Sequence, residues 1–172
     1  MTVRELAWGD MPSLVDNYWA LYDEVRDDPD LGIGLLPERP TLGEEVKWFA
    51  DLFRRVQEGS CVAAVAEEDG KAVGLCSVHR RGPPQEFHHV GTLGLLVARA
   101  YRGHGHGRAL LAHTIERCRG RFEQVELTVF LSNEPARALY RSVGFRPWGV
   151  EPRAIRRGGR YTDVEHMVLD LR

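Results

Sequence analysis

Residues Leu95–Leu111 read LLVARAYRGHGHGRALL. An apolar strand closes at Val97, glycines follow at 103, 105 and 107, and a helical pattern opens at once. N–H groups in the first turn of a helix lack helical partners and sit at the positive end of its dipole, so such a turn binds phosphate. Glycine adds positive φ and a close approach of the main chain. Arg102 and Arg108 bracket the loop with positive charge. A dinucleotide fingerprint needs glycine at 108, and a P-loop needs Gly-Lys-Ser/Thr; neither is present. The loop alone leaves open a phosphate ligand of another kind or a plain tight turn.

Upstream, residues 2–7 (TVRELA) read as a short strand. Residues 11–26 space Leu14, Val15, Tyr18, Trp19, Leu21, Tyr22 and Val25 as an amphipathic helix. Residues 27–40 form a turn-rich loop with Pro29, Gly32, Gly34, Pro37 and Pro40. Thr41 and Glu44 make a capping box for a helix that reaches about Glu58, where Gly59 stops it. CVAAVAEE and AVGLCSVHR form a hairpin around Asp69-Gly70, and 88–97 form the next strand. Downstream, GHGRALLAHTIERCR is a helix with Leu110, Leu111, Ile115 and Cys118 inward, and VELTVF (125–130) is a strand. Residues 135–143 form a short helix with Pro135 in its first turn and Gly144 at its end. FRPWGVEPRAI and TDVEHMVLDL are the last strands. The order β-α-α-β-β-β-α-β-α-β-β predicts a mixed α/β fold with a strand–helix–strand crossover in the middle.

Composition is ordinary for a globular chain of 172 residues: 43% hydrophobic, 28% charged. No apolar run nears the ~18 residues of a membrane helix, and MTVRELAWGD has no secretory h-region, so the expectation is a cytoplasmic protein working without a membrane. Cys61, Cys76 and Cys118 are scattered and form no disulfide framework. A net charge of −2 gives no electrostatic footprint for nucleic acid. Residues 1–58 carry 13 acids and 6 bases, and residues 59–172 carry 12 acids and 17 bases. That split reads either as drift or as an acidic half facing a cationic substrate and a basic half facing an anionic cofactor.

Two motifs coincide. Arg102-Gly103-His104-Gly105-His106-Gly107 matches Arg/Gln-x-x-Gly-x-Gly/Ala. Asn133 to Phe145 (NEPARALYRSVGF) matches Asn-x-x-Ala-x-x-Leu-Tyr-x-x-x-Gly-Phe. In this order and spacing they resemble the signatures of the GCN5-related N-acetyltransferases, and the element order fits over nearly the whole chain. The resemblance implies one N-acetyltransferase domain over residues 1–172. It implies a mixed, mostly antiparallel α/β (α+β) sheet, splayed between its fourth and fifth strands and flanked by about four helices. It implies acetyl-CoA as acyl donor, with pantetheine along the free backbone of Leu95, Leu96 and Val97 and Gly94 supplying a bulge. The pyrophosphate would sit on Arg102, Gly103, His104, Gly105, His106, Gly107 and Arg108, and Asn133, Ala136 and Tyr140 would flank the arm.

The implied reaction moves an acetyl group to a primary amine by direct attack in a ternary complex. An alkylammonium must first lose a proton, and the leaving thiolate gains one. Tyr140 matches the family's general acid; a tyrosine packing one helix face is the plainer reading. Asn133 also reads as a helix N-cap. The base departs from the pattern. Some relatives carry Glu five residues before the motif Asn, where this chain has Thr128; fourth-strand alternatives fall on Gly91 and Leu93. His89 and Glu126 lie two residues before these positions and so on the same faces, which makes them the candidate bases beside a water wire or, for His89, a solvated strand end. Histidines 88, 89, 104 and 106 have no HExxH or Cys context, so no metal is expected.

The resemblance implies an amine acceptor, occasionally a hydroxyl: a small-molecule amine, a protein N-terminus or a lysine. Residues 27–40, Trp148 and 151–163 would select it, with Asp27, Asp28 and Asp30 either holding an ammonium or sitting in solvent. The ending YTDVEHMVLDL resembles relatives that acetylate protein N-termini. C-terminal strand edges leave room for a homodimer. The alternatives are a non-catalytic acyl-CoA-binding or regulatory domain of this fold, and a nucleotide-phosphate-binding α/β protein that uses the glycine loop alone.

Overall fold

The computed structural model describes residues 1–35 and 38–172; Pro37 of the turn-rich loop lies outside them. The elements are β1 Thr2–Glu5, α1 Met11–Asp27, α2 Leu42–Gln57, β2 Cys61–Glu68, β3 Lys71–Arg80, β4 Val90–Val97, α3 His106–Cys118, β5 Gln124–Phe130, α4 Glu134–Ser142, β6 Arg146–Arg157 and β7 Arg160–Asp170. Short 3-10 turns occupy Trp8–Asp10, Gln85–Phe87 and Arg99–Tyr101.

Local chemistry sets these boundaries. The capping box forms as expected: Thr41 Oγ1 accepts from Glu44 N–H, and the Glu44 carboxylate accepts from Thr41 N–H at 2.8 Å. Asp69 and Gly70 both take positive φ (49° and 74°), the two-residue turn that joins right-twisted strands. Asn133 caps α4, its side chain accepting from Ala136 N–H.

The strands form one sheet in the order β1-β2-β3-β4-β5-β7-β6. Among the described residues, every pairing of these strands is antiparallel except β4–β5, which α3 connects. Side chains alternate between its faces. On one face, α1 and α2 cover Cys61, Ala63, Val65 and Leu75, around Leu14, Phe49 and Leu52. On the other, α3 and α4 cover Ala64, Cys76, Val78, Leu93, Val125, Leu127 and Met167. Leu110, Leu111, Ile115 and Cys118 of α3 are buried there, as the helical spacing predicts.

The parallel β4–β5 ladder has three rungs: Val90–Gln124, Gly91–Val125 and Thr92–Glu126. Beyond Thr92, β4 stays paired to β3 as far as Val97, and β5 stays paired to β7 as far as Phe130. The sheet therefore splits between its fourth and fifth strands, and the β5-facing backbone of Leu93–Val97 has no strand partner. Two expectations are corrected. The β3–β4 register runs unbroken through Ser77–Gly94, so Gly94 makes no bulge; the split comes from the short parallel ladder. The fourth strand begins at Val90, not residue 88, because a 3-10 turn at 85–87 and the turn that follows it occupy 85–89. The two-residue period therefore does not extend to His89.

Candidate active site

The glycine loop lies beyond the open end of the split. Gly103 and Gly105 take φ of 78° and 89°, conformations that cost an L side chain roughly 1–2 kcal/mol. Gly105 is the N-cap of α3 and makes no side-chain cap, so the first-turn N–H groups face outward from the loop. A Cβ on Gly107 would stand 3.1 Å from Leu139 Cδ2, so glycine there lets α3 approach α4.

The loop's side chains divide the work differently from its backbone. Arg102 donates from Nε to Val97 O (2.8 Å), and its two Nη atoms grip the Glu24 carboxylate of α1 at 2.6 and 3.1 Å. It holds the end of β4 against α1. His106 is buried, with Nε2 3.0 Å from Glu68 Oε1 and its ring against Tyr101. His104 and Arg108 are exposed.

On the α1/α2 face, past the edge of those helices, the split opens into a cleft of about 230 Å³. Arg81, Thr92, Glu126, Leu127, Thr128, Trp148 and His166 line it. Glu126 accepts from Arg81 Nη1 (3.4 Å) and Thr92 Oγ1 (3.3 Å). Ladder pairing sets His166 opposite Thr128, with 3.3 Å between Nδ1 and Oγ1. His166 Nε2 lies 3.2 Å from Glu151 Oε2 of β6, and the Trp148 ring packs on the imidazole at 5.2 Å. Residues 29–33 are tied to the β6 end: Arg157 donates to the carbonyls of Pro29, Leu31 and Ile33. Asp30 pairs with Arg160, and Asp27 with Arg26. Among the described residues, no three His, Cys, Asp or Glu side chains gather as a metal site.

Tyr140 comes from the opposite face, buried in the α3/α4 core against Phe145. Burial pushes its hydroxyl well above the usual tyrosine range, so the phenol keeps its proton at every working pH. Its helix is anchored through Glu165 of β7, which accepts two hydrogen bonds from Arg137 (3.1 and 3.0 Å) and longer ones from Arg141.

Leu95, Val97, Ala136 and Tyr140 share one core cluster, and the 102–108 loop follows the unpaired end of β4. Asn133 is committed at both ends, to Ala136 N–H and to Gly32 O at 2.9 Å. Glu126 lies in the cleft; His89 is an exposed turn residue whose carbonyl accepts from Glu123 N–H, and it does not line the cleft. Sequence reasoning missed Arg81 and His166 there, and placed Glu151 only within the 151–163 acceptor-selecting stretch. One signal was available: Val164, His166 and Val168 alternate on one face, and a lone histidine between valines on a half-buried strand marks a polar site.

This geometry agrees with the comparisons. The chain belongs to the Acetyltransferase (GNAT) family, whose model matches residues 12–145. The L-amino acid N-acetyltransferase AaaT of Escherichia coli K12 is 33% identical over 105 residues, 60% of this chain and 64% of that enzyme. The chain thus spans under two thirds of that relative's length. The ribosomal-protein-alanine N-acetyltransferase of Brucella melitensis has the same fold, with a TM-score of 0.84 and 28% identity over 99% of this chain and all of that one. The yncA structure from Salmonella typhimurium, solved with its cofactor acetyl-CoA, superposes with a TM-score of 0.84 at 22% identity, covering 99% and 94% of the two chains.

Proposed function

We propose that residues 1–172 act as one acetyl-CoA-dependent N-acetyltransferase domain that acetylates a primary amine by direct attack in a ternary complex. The observation that carries this reading is the early end of the β4–β5 ladder. It leaves the Leu93–Val97 backbone beside a glycine loop at a helix start. An amide-bearing arm can replace the missing strand, with its pyrophosphate on the N–H groups of Gly103–Arg108. The loop contributes backbone; Arg102 and His106 hold its shape. Family membership and the acetyl-CoA of the yncA structure support the same donor.

The donor enters along the gap, and the amine enters from the α1/α2-side cleft. Tyr140 reaches the gap from the far face with its proton held, as the acid for the departing thiolate. A backbone N–H of the free β4 segment near Val97 serves the oxyanion. In the cleft, the Arg81 guanidinium and Glu126 carboxylate suit an acceptor with both a carboxylate and an ammonium. This favours a small amino-acid-like amine, in line with the named activity of AaaT. We place the protein in the cytoplasm, acting without nucleic acid or membrane, with the free edges β1 and β6 available for a homodimer.

Calorimetry with acetyl-CoA tests the donor. The wild type should bind in the micromolar range, and Gly105→Glu, which puts charge and bulk at the phosphate, should abolish binding. Tyr140→Phe should bind normally and lose roughly a hundredfold in kcat on an amine panel, read by thiol release. A folded wild type that does not bind acetyl-CoA overturns the reading.

A further inference from the structure

We infer that Thr128, His166 and Glu151 form a proton relay that deprotonates the acceptor amine, with His166 as the ultimate base one strand away from the gap. The inference rests on the acetyl-transfer reading and adds the base that the sequence does not reveal.

The hydrogen bonds fix the direction of the relay. An ionised carboxylate only accepts, so the Nε2 facing Glu151 carries the ring proton of the neutral imidazole. Nδ1 is then the acceptor, and the Thr128 hydroxyl donates to it. That leaves the lone pairs of Thr128 Oγ1, on an exposed β5 position in the cleft, as the acceptor a substrate ammonium meets. Thr128 stands beside the open part of the gap, beyond the last β4–β5 rung, whereas Glu126 sits on that rung and is engaged by Arg81 and Thr92. Trp148 packs on the imidazole and limits its rotation.

In the step, an N–H bond of the ammonium breaks and its proton passes to Thr128 Oγ1, while the hydroxyl's own proton passes to His166 Nδ1. The products are a neutral amine, an intact hydroxyl and an imidazolium facing the Glu151 carboxylate. The amine nitrogen then bonds to the thioester carbon and the C–S bond breaks. The thiolate takes the Tyr140 proton, and the second amine proton returns through solvent to the phenolate. His166 releases the first proton to water. A hydroxyl is a poor base alone; hydrogen-bonded to an imidazole that a carboxylate orients, it becomes a proton conductor. Charged groups facing His166 are Glu151 from β6, and Glu126 and Arg81 across the cleft; Thr128 and Trp148 are uncharged.

The test uses the full chain and the variants His166→Asn, Thr128→Val, Thr128→Ser and Glu151→Gln. Acetyl-CoA affinity should stay within about threefold throughout. With an acceptor found on the amine panel, kcat/KM at neutral pH should fall roughly a hundredfold in His166→Asn and Thr128→Val. The acid limb of the pH profile should vanish in His166→Asn, and Thr128→Ser should retain most activity. An active wild type whose acid limb survives His166→Asn, or whose rate survives Thr128→Val, overturns the relay alone. A wild type that binds acetyl-CoA but acetylates no amine overturns the acetyl-transfer reading and the relay with it. Nitrogen-edited NMR of the neutral His166 ring supplies a readout independent of turnover: the proton should reside on Nε2, and finding it on Nδ1 reverses the relay's direction and refutes it.

Discussion

Arg102 opens the glycine motif, yet its guanidinium is spent on Glu24 and the Val97 carbonyl. Its removal should therefore act first on stability. Arg102→Gln leaves a buried glutamate without its cation and should cost on the order of 2 kcal/mol, discounted for the partial exposure of the pair. Thermal melts should show the loss, and acetyl-CoA affinity should fall far less than in Gly105→Glu. The same contrast marks what was legible at this scale. The turns at Gly103 and Gly105 were readable because positive φ is a property of one residue and its neighbours. The commitment of Arg102 was not, since Glu24 lies 78 residues away. Nor was the pairing of His166 with Thr128, because the β5–β7 register that makes it is a tertiary fact. For His89 a strand period was extended past a strand end, where a turn had already re-aimed the chain.

Elements come into place through a few cross-ties. Asn133 is both the cap of α4 and the anchor of the α1–α2 loop, and Gly32 permits the approach, since a Cβ there would stand 2.7 Å from Asn133 Cβ. Asn133→Ala should cost about 1 kcal/mol through the lost cap. The melting temperature should fall by roughly 2–4 °C, and hydrogen exchange should quicken over residues 31–34. Element order, the capping box, the Asp69-Gly70 turn and the buried face of α3 were all legible, because each follows from local propensity or periodicity. The split in the sheet came from the family resemblance. Its physical cause, a ladder only three rungs long, is set by how α3 returns the chain and left no mark on either strand.

Across the whole molecule, the two half-sheets are held together through α4 as well as through the short ladder. Glu165 is central: hydrogen bonds from Arg137, its charge and that of Arg141 hold the carboxyl below the usual glutamate range. A carboxylate depressed in the native state contributes stability that is fully present above its unfolded value, near 4.3, and is lost as pH falls through the lower native value. The wild type should therefore lose melting temperature on acidification below about pH 4.5. Glu165→Gln should start lower at neutral pH and lose less over the same interval. Melting curves from pH 7 to 3 check this.

Glu165 and His166 are adjacent on β7, and the pleat sends one to the helix that carries Tyr140 and the other into the cleft. The strand is therefore intolerant of changes in length. One residue inserted before Glu165 would flip both faces, sending a carboxylate into the cleft and an imidazole into the α3/α4 core at the place of Met167. Two inserted residues would restore the faces but slide the pair about 7 Å along the sheet. Natural length variation in such a chain belongs at the Gly158–Gly159 hairpin tip, and descendants of this sequence can drift in composition along β7 far more freely than in residue count.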